Sequence, residues 1–297
     1  MPKIQHGDVE ISYRQAGQGP DLVLIHGLAA NQAFWHPHLI RALADDFRVT
    51  LFDLRGHGYS SMPSSGYCTA SLAQDLTVLL DHLEIERPHL VAHSFGGAVA
   101  LHHAIENPNR ASSLTLLDTR IKALQPHQRM RDWPEWESAK KEFADHGMEV
   151  DENEDDIGLR VLEFAASPAW RANRELYAKK YGFVPFGGWT LSDRSAQRWI
   201  KLLHTTSARA DFASVAGVTV ERLPAVRCPV VGIYAEKSRC RATFDRLHEV
   251  FRDCRRVTVP GVGHFFPVTR PLATARMILP ALHQLEGIVT REGQGAA

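Results

Sequence analysis

The segment HLVAHSFGG, residues 89–97, carries the pattern that decides the fold. Its first half is mostly apolar and predicts a short buried strand, and a helical pattern follows it as far as Pro108. The turn between strand and helix forces Ser94 into a strained backbone geometry and leaves its hydroxyl exposed above the sheet. Gly96 and Gly97 have no side chain, so they allow the helix to approach the strand closely.

Short apolar runs alternate with helical patterns on both sides of this segment. The runs that predict buried strands lie at residues 22–25, 48–52, 114–117, 230–234 and 256–259. One helical pattern follows Ser71 and Gln74, which have the spacing of a capping box. Buried strands that alternate with helices are typical of a parallel sheet covered on both faces. We therefore predict an α/β fold with a mostly parallel sheet and helices on both faces.

The alternation stops between about residue 120 and about residue 224. No strand run appears there, and the stretch holds five of the six tryptophans, namely Trp133, Trp136, Trp170, Trp189 and Trp199. We predict that residues 120–224 form a helical cap. Residues 1–119 and 225–297 then form the core into which this cap is inserted.

Composition excludes several classes of partner. The chain has 34 Lys and Arg against 34 Asp and Glu, so it has no basic excess to hold nucleic acid or an anionic membrane surface. No apolar run approaches the ~18 residues of a membrane span, and Lys3, Asp8 and Glu10 interrupt the region where a secretory signal is apolar. The four cysteines lack zinc-site spacing. We expect a cytoplasmic protein with no metal and a small, fairly neutral substrate.

His264 is the candidate base for the Ser94 hydroxyl. A serine hydroxyl is barely acidic and needs a base to become nucleophilic, and histidine titrates close to neutral pH. His264 follows the last predicted strand in the glycine-rich segment 261–264, which can bring the imidazole to Ser94. The other histidines, including His57 and His93, are expected to have structural roles.

Four motifs make the chain resemble the α/β-hydrolase superfamily over nearly its whole length. In the order of that family they are His26-Gly27-Leu28, the segment DLRGHGYS at 53–60, the Ser94 turn and Gly261-Val262-Gly263-His264. The resemblance implies that Ser94 is the nucleophile and His264 the base. It also implies that the backbone N–H groups of Leu28 and Phe95 form the oxyanion hole. Ala92 replaces the first glycine of the usual turn motif, and it is small enough for the turn to form.

The acid that orients the histidine departs from the family pattern. The family usually places an aspartate a few residues after the strand before the histidine, and Ser238 stands there. An uncharged serine cannot stabilise an imidazolium as a carboxylate does. Glu236 lies two residues earlier, whereas Asp118 follows the nucleophile by 118 − 94 = 24 residues, enough for a helix and the next strand. We favour Asp118, because some members, including cofactor-independent dioxygenases, take their acid from that strand.

The predicted reaction is hydrolysis of a small carboxylic ester or thioester through an acyl-Ser94 intermediate, without a metal or organic cofactor. Trp35, Phe95 and Phe265 are expected to line the substrate pocket. One alternative uses the same site for C–C hydrolysis, lyase or cofactor-free dioxygenase chemistry. A second, from another class, is a non-catalytic ligand receptor on the same scaffold. Dehalogenase and epoxide hydrolase activities are disfavoured, because the relatives that run them use aspartate where Ser94 stands.

Overall fold

Eight strands form one sheet at the centre of the molecule. The computed structural model describes residues 1–35, 37–132, 136–155, 157–181, 193–214 and 216–288. The strands are β1 (Lys3–His6), β2 (Val9–Ala16), β3 (Asp21–Ile25), β4 (Arg48–Phe52), β5 (His89–His93), β6 (Ser113–Leu117), β7 (Val230–Ala235) and β8 (Cys254–Val259). Their order is β1-β2-β4-β3-β5-β6-β7-β8. The pairs β1–β2 and β2–β4 are antiparallel and the others are parallel, which confirms the predicted fold class.

Twelve α-helices are described, and half of them belong to the sheet layers. These six are α1 (Pro37–Ala44), α2 (Thr69–His82), α3 (Phe95–Glu106), α10 (Arg241–Val250), α11 (Phe266–Thr269) and α12 (Pro271–Glu286). The other six lie between β6 and β7 and are α4 (Trp136–Asp145), α5 (Ile157–Ala165), α6 (Pro168–Ala172), α7 (Arg174–Tyr181), α8 (Asp193–Thr205) and α9 (Ala208–Ala213). None of the described helices is long and apolar enough to cross a membrane.

Helices cover both faces of the sheet because successive side chains of a strand point to opposite faces. In β3, Val23 and Ile25 belong to the core cluster that contains α2, α3 and α10. Leu22 and Leu24 belong to the cluster that contains α1, α11 and α12. Full burial of such a side chain stabilises the fold by about 1.5–3 kcal/mol relative to exposure. The two clusters hold the sheet rigid, and with it the strand ends at which the candidate site lies.

The start of α2 differs from the sequence prediction. The helix begins at Thr69 with Cys68 before it, so Ser71 lies in the first turn and the predicted capping box with Gln74 is wrong. Thr69 is buried, and its hydroxyl is 3.1 Å from Nδ1 of His102 on the neighbouring helix α3. This tertiary contact sets the helix start earlier than the local pattern indicates.

The segment between β6 and β7 has hydrophobic clusters of its own. One of them contains Trp136, Phe164 and Trp170, and another brings Trp199 against Tyr67 of the core. Each of these three tryptophans is buried, while Trp133 and Trp189 lie outside the described residues. No strand occurs in the described part of residues 118–229. The boundaries of the cap at 120 and 224 stay a prediction.

Candidate active site

Ser94 lies in the turn between β5 and α3, in a backbone conformation that serine rarely adopts. Its φ is 54° and its ψ is −124°, and a positive φ is uncommon for residues other than glycine. A Cβ atom on Gly96 would lie 2.5 Å from the carbonyl oxygens of Ile25 and His26, and one on Gly97 would overlap the side chain of Thr119. The two glycines therefore allow α3 to begin directly after Ser94, close against β3.

Three side chains from different strand ends form one chain of hydrogen bonds. The Ser94 hydroxyl donates to Nε2 of His264 over 3.0 Å, and Nδ1–H of His264 donates to Oδ1 of Asp118 over 3.1 Å. A single neutral tautomer of His264, with its proton on Nδ1, satisfies both bonds. The Asp118 side chain is fully buried, whereas 32% of the His264 side chain is exposed. The arrangement allows a proton to move from Ser94 to His264 while Asp118 stabilises the resulting imidazolium.

Asp118 is held as a buried carboxylate by three hydrogen-bond donors. Besides His264, the N–H of Ala235 donates to Oδ2 over 2.9 Å, and the hydroxyl of Ser238 donates to Oδ1. Burial alone would raise the pKa of Asp118, but the hydrogen bond from His264, the positive charge of that ring when it is protonated, and the bonds from Ser238 and Ala235 lower it below its usual value. Asp118 also has a φ of 48°, a positive value that is uncommon for residues other than glycine.

Ser238 and Glu236 have other contacts. The hydroxyl oxygen of Ser238 accepts the N–H of Cys240 over 2.8 Å while its proton goes to Asp118. The carboxylate of Glu236 accepts the N–H of Gly261 over 2.8 Å, at the start of the loop that carries His264. The structure thus brings Asp118 to the imidazole, and Glu236 to the backbone of the loop. The serine at the usual acid position serves as a hydrogen-bond donor to the acid that replaces it.

His93 supports the His264 loop, a contact that sequence reasoning missed. Its Nε2–H donates to the backbone carbonyl of His264 over 2.9 Å, and its ring stacks on Phe34 at 4.5 Å between centroids. Burial, and then the nearby charge of His264, lower the pKa of His93 to about 3. His93 is therefore neutral at physiological pH. Its place next to Ser94 in the sequence was the one available signal that it reaches the site.

The loop with Leu28 is fixed by two buried neutral histidines. Nε2 of His57 accepts the N–H of Ala29 over 3.2 Å, and Nε2 of His26 accepts the N–H of Leu54 over 3.1 Å. Burial lowers the pKa of His57 to about 3 and that of His26 to about 4, which keeps both rings able to accept. These contacts agree with the structural role expected for His57.

Gly27 brings this loop against the nucleophile. A Cβ atom on Gly27 would lie 3.0 Å from Cβ of Ser94 and 3.3 Å from Nδ1 of His93. Leu28 and Phe95 both line the cavity above Ser94. Their backbone N–H groups as oxyanion donors stay a prediction.

A cavity of about 780 Å³ lies over these residues, between the strand ends and the segment that joins β6 to β7. Phe95 and Phe265 line it, as the sequence predicts. Trp35 does not: it is 1% exposed and belongs to the core cluster under α1, so its assignment to the pocket is wrong. Phe34 lines the cavity in its place. Phe34 is the last residue of a short 3-10 helix and Trp35 is its C-terminal cap. Phe34 stacks on His93, whereas Trp35 packs in the core.

One group of metal-ligating atoms occurs among the described residues. Sγ of Cys240 lies with the ligand atoms of Asp118 and His264, all within 4.8 Å of one another. Burial, and then the charge of Asp118, raise the pKa of the Cys240 thiol, so this sulfur is held in its protonated form. Asp118 and His264 are bonded to each other. Because metals bind thiolates and free imidazole nitrogens, these residues fit proton transfer better than metal binding.

The sheet order and the position of the site at the strand ends are those of the α/β-hydrolase fold. A profile of the α/β-hydrolase fold matches residues 20–146. The enol-lactonase of Burkholderia xenovorans has a similar structure, with a TM-score of 0.65 and 22% identity over 95% of this chain and 99% of that one. Together the profile match and the structural neighbours show that the chain has the α/β-hydrolase fold.

Sequence relatives match a shorter segment. A pimeloyl-[acyl-carrier protein] methyl ester esterase of Aeromonas hydrophila is 40% identical over 107 residues, which cover 36% of this chain and 40% of the relative. A fluoroacetate dehalogenase of a Burkholderia species is 37% identical over 117 residues, 38% of each chain. The match with the curated relatives thus spans well under half of their length, from 31% to 44% in the most similar ones.

Proposed function

We propose that this protein is a serine hydrolase that cleaves a small carboxylic ester or thioester through an acyl-Ser94 intermediate. The observation that supports this most is the chain of hydrogen bonds from Ser94 through His264 to Asp118 at the floor of the cavity. The positive φ of Ser94 is a second observation that supports the proposal, because such a strained turn exposes the serine hydroxyl above the sheet.

The proposed reaction has two halves. In the first, His264 takes the proton of the Ser94 hydroxyl as its oxygen bonds the substrate carbonyl carbon. The backbone N–H groups of Leu28 and Phe95 donate hydrogen bonds to the tetrahedral oxyanion. Each such donor stabilises the transition state by about 3 to 4 kcal/mol in serine hydrolases. The C–O or C–S bond then breaks and His264 protonates the leaving group. In the second half, water attacks the acyl carbon, the ester bond to Ser94 breaks and the carboxylic acid leaves. The proton that the water loses passes through His264 to the Ser94 oxygen.

The names of the relatives leave two reaction types open, since one is an esterase and another is a dehalogenase. The residue at position 94 favours the esterase type. Superfamily members that displace halide or open epoxides use aspartate there, whereas an acyl ester of serine is an intermediate that water can cleave. Residues 1–119 and 225–297 would supply this chemistry, and the cap at 120–224 would select the substrate.

Labelling with a fluorophosphonate probe tests the proposal. The probe should modify Ser94 in the wild type, abolish turnover of short aryl esters and acyl thioesters, and leave Ser94→Ala unlabelled. Ser94→Ala should lose about 10⁶-fold in rate with the fold intact. Ser65→Ala, in an exposed loop, is the matched control and should behave as wild type. More than a few per cent of residual activity in Ser94→Ala would contradict the proposal.

The position of Asp118 favours one second candidate. An acid on the strand after the nucleophile helix also occurs in cofactor-independent dioxygenases, in which the histidine acts as base and a serine orients the substrate. The same site would then serve C–C hydrolysis, lyase or dioxygenase chemistry without an acyl-enzyme. Activity that requires His264 but survives the labelling of Ser94 would support this candidate. Saturable binding without any turnover would instead support a receptor.

A further inference from the structure

Helix α8 packs on the backbone of the core loop that joins β4 to α2. Gly56 of this loop has a φ of 79°, and a Cβ atom there would lie 2.6 Å from the side chain of Leu202 and 2.8 Å from that of Tyr67. The absence of a side chain thus lets the helix approach the loop. One turn before Leu202, the guanidinium of Arg198 donates from Nε to the carbonyl oxygen of Gly56 over 3.0 Å and from Nη2 to that of Ser60. Arg198 therefore bonds two carbonyl groups of the core loop to the helix.

His57 lies between these two carbonyl groups in the sequence and links them to the Leu28 loop. The ring is buried, its Nδ1–H donates to the carbonyl oxygen of Arg55 over 3.0 Å, and its Nε2 accepts the N–H of Ala29 over 3.2 Å. Because a peptide unit is planar, the bond to Ala29 fixes the unit that follows Leu28. It thereby limits the directions in which the N–H of Leu28 can point.

Two aromatic rings between β6 and β7 face the His57 ring. Trp199 of α8 lies 5.8 Å from it between ring centroids, and Phe212 of α9 lies 6.3 Å away. The two side chains are buried and stack on each other at 6.0 Å. Leu28 and Ala29 pack against the same hydrophobic cluster. Helix α8 and the loop that carries Leu28 therefore share one packed cluster.

The contacts of α8 are with the core loop and not with the cavity. No described residue of α8 lines the cavity, whereas several residues of α5 do. Two further hydrogen bonds tie the segment after α8 to the core. The N–H of Ser207 donates to the carbonyl oxygen of Ser64 over 2.9 Å, and the N–H of Tyr67 donates to Oδ2 of Asp211 over 2.9 Å. A helix in this place can act on the Leu28 loop but does not contact a molecule in the cavity.

The charge of Arg198 favours the form of His57 that this link requires. Burial, and then the charge of His26 when that ring is protonated, lower the pKa of His57 to about 3, and the charge of Arg198 acts in the same direction. A neutral His57 with its proton on Nδ1 has a free lone pair on Nε2 for the N–H of Ala29, whereas a protonated ring has no acceptor. Arg198 thus supports the link by its position and by its charge.

We propose that Arg198 and Trp199 are positioning residues of the reaction, which act through His57 to direct the backbone N–H of Leu28 at the oxyanion. The inference rests on the proposed function, since an oxyanion forms only if Ser94 attacks a carbonyl carbon. It gives the segment between β6 and β7 a second role, because α8 would support the chemistry while α5 lines the cavity. A donor that is held in direction before the reaction stabilises the transition state most strongly.

Steady-state kinetics of Arg198→Gln tests the first residue. The variant should lower kcat about tenfold on an ester that the wild type cleaves and leave KM nearly unchanged, because a misdirected donor weakens binding of the transition state alone. Arg198→Lys, which keeps the charge and a donor, should recover most of the loss. Arg194→Gln removes the same charge from an exposed position on α8 and should behave as wild type. An equal loss in Arg194→Gln, or a higher KM at unchanged kcat in Arg198→Gln, would overturn the proposal.

Trp199→Leu tests the second residue, and it should also lower kcat about tenfold at an unchanged KM. Trp170→Leu is the matched control, because Trp170 is likewise a buried tryptophan between β6 and β7 but packs in another cluster, with Phe164. It should keep the kcat of the wild type. Both variants are compared well below their measured Tm, so that the folded enzyme is assayed. Equal losses in the two variants would overturn the role of Trp199, since they would show only a general effect of packing.

Hydrogen exchange of the Ala29 amide, measured by NMR, keeps the two proposals distinguishable because it needs no substrate. Exchange should be about tenfold faster in Arg198→Gln and Trp199→Leu than in the wild type and the two controls. Faster exchange supports the link from α8 to the Leu28 loop whether or not Ser94 is the nucleophile, which the fluorophosphonate probe decides separately. Wild-type exchange at Ala29 in both variants would overturn the inference and leave the hydrolase proposal intact.

Discussion

The two walls of the cavity are built in different ways. The core wall is made of strand ends, and its reactive atoms are set by hydrogen bonds of 3.0 and 3.1 Å and by positive φ angles at Ser94 and Asp118. The other wall comes from the segment that joins β6 to β7 and includes α5. Side chains of α5 line the cavity, and hydrophobic packing holds them in place. From this comparison we propose that the core sets the chemistry and that the other wall selects the substrate. Substitutions in the first should change kcat, and those in the second should change selectivity.

After loss of the nucleophile itself, the largest effect is expected at Asp118 in the core wall. Asp118→Asn should lower kcat by about 10⁴-fold, because an amide cannot stabilise the imidazolium and leaves His264 in the wrong tautomer. Glu236→Gln removes a carboxylate that only accepts the N–H of Gly261, so its effect should be mild. Steady-state kinetics with an ester that the wild type cleaves would compare kcat of the two variants. The reverse ranking would show that Glu236 is the acid.

The loop with Leu28 should be the next most sensitive part of the core wall. In Gly27→Ala the new methyl group would lie 3.0 Å from Cβ of Ser94, which must shift the loop or the nucleophile. We expect a loss of about 10²-fold in kcat, the size typical of one lost oxyanion donor. Gly263→Ala is the matched control, since apart from its two chain neighbours its methyl group would meet no atom within 4 Å. Similar losses in both variants would argue against a specific role of the Gly27 loop.

Substitutions in the apolar wall should change the selectivity for acyl-chain length. Leu162 on α5 lines the cavity, and Leu162→Ala enlarges it there, so the optimum acyl chain should become longer. The relative kcat/KM of long and short esters should change about tenfold, the effect of one or two methylene groups in a hydrophobic pocket. Leu176→Ala, at an exposed site on α7, should leave the ratio unchanged. A fall in kcat without a change in the ratio would place Leu162 with the catalytic parts.

The smallest expected effect is on stability in acid. In the folded protein the pKa values of His26 and His57 are about 4 and about 3, because burial disfavours their charged forms. A histidine in the unfolded chain has a pKa of about 6.5. The unfolded chain therefore binds more protons below about pH 6.5, and stability present above that pH is lost as the pH falls. Each group should contribute about 1 kcal/mol per pH unit in this window.

Calorimetric Tm measurements at a series of pH values check this effect. The Tm should fall steadily from about pH 6.5 to about pH 4.5 and be nearly constant above that range. His57→Gln, which cannot be protonated, should show a shallower fall than the wild type. A flat Tm over the whole range would mean that these rings are not kept neutral by burial.

The fold, and the meeting of Ser94, His264 and Asp118 at one site, could be predicted from the sequence because both depend on short-range patterns. The apolar run before Ser94 and the two glycines after it specify a strand, a turn and a helix. The spacing of 24 residues to Asp118 specifies the next strand end. Such patterns are local, and the packing of a parallel sheet then brings the strand ends together.

Other parts of the site depend on tertiary contacts that no local pattern encodes. Trp35 and Phe34 are adjacent aromatic residues, and only the direction of a 3-10 turn decides which one reaches the cavity. His93 supports the His264 loop across 171 residues of sequence. The lining of the cavity combines residues of strand ends with residues of α5 and α9, which no local pattern brings together.

The central claim is that the core wall forms a covalent intermediate on Ser94, and rapid-quench mass spectrometry tests it most directly. The wild type is mixed with excess p-nitrophenyl ester or acyl thioester, quenched in acid within the first turnovers, digested and analysed by peptide mass. The account predicts one acyl adduct, on the peptide that contains Ser94, that forms with the burst of leaving group and disappears as substrate is consumed. Turnover of the same substrate without an adduct on Ser94, or with the adduct on another residue, would contradict it.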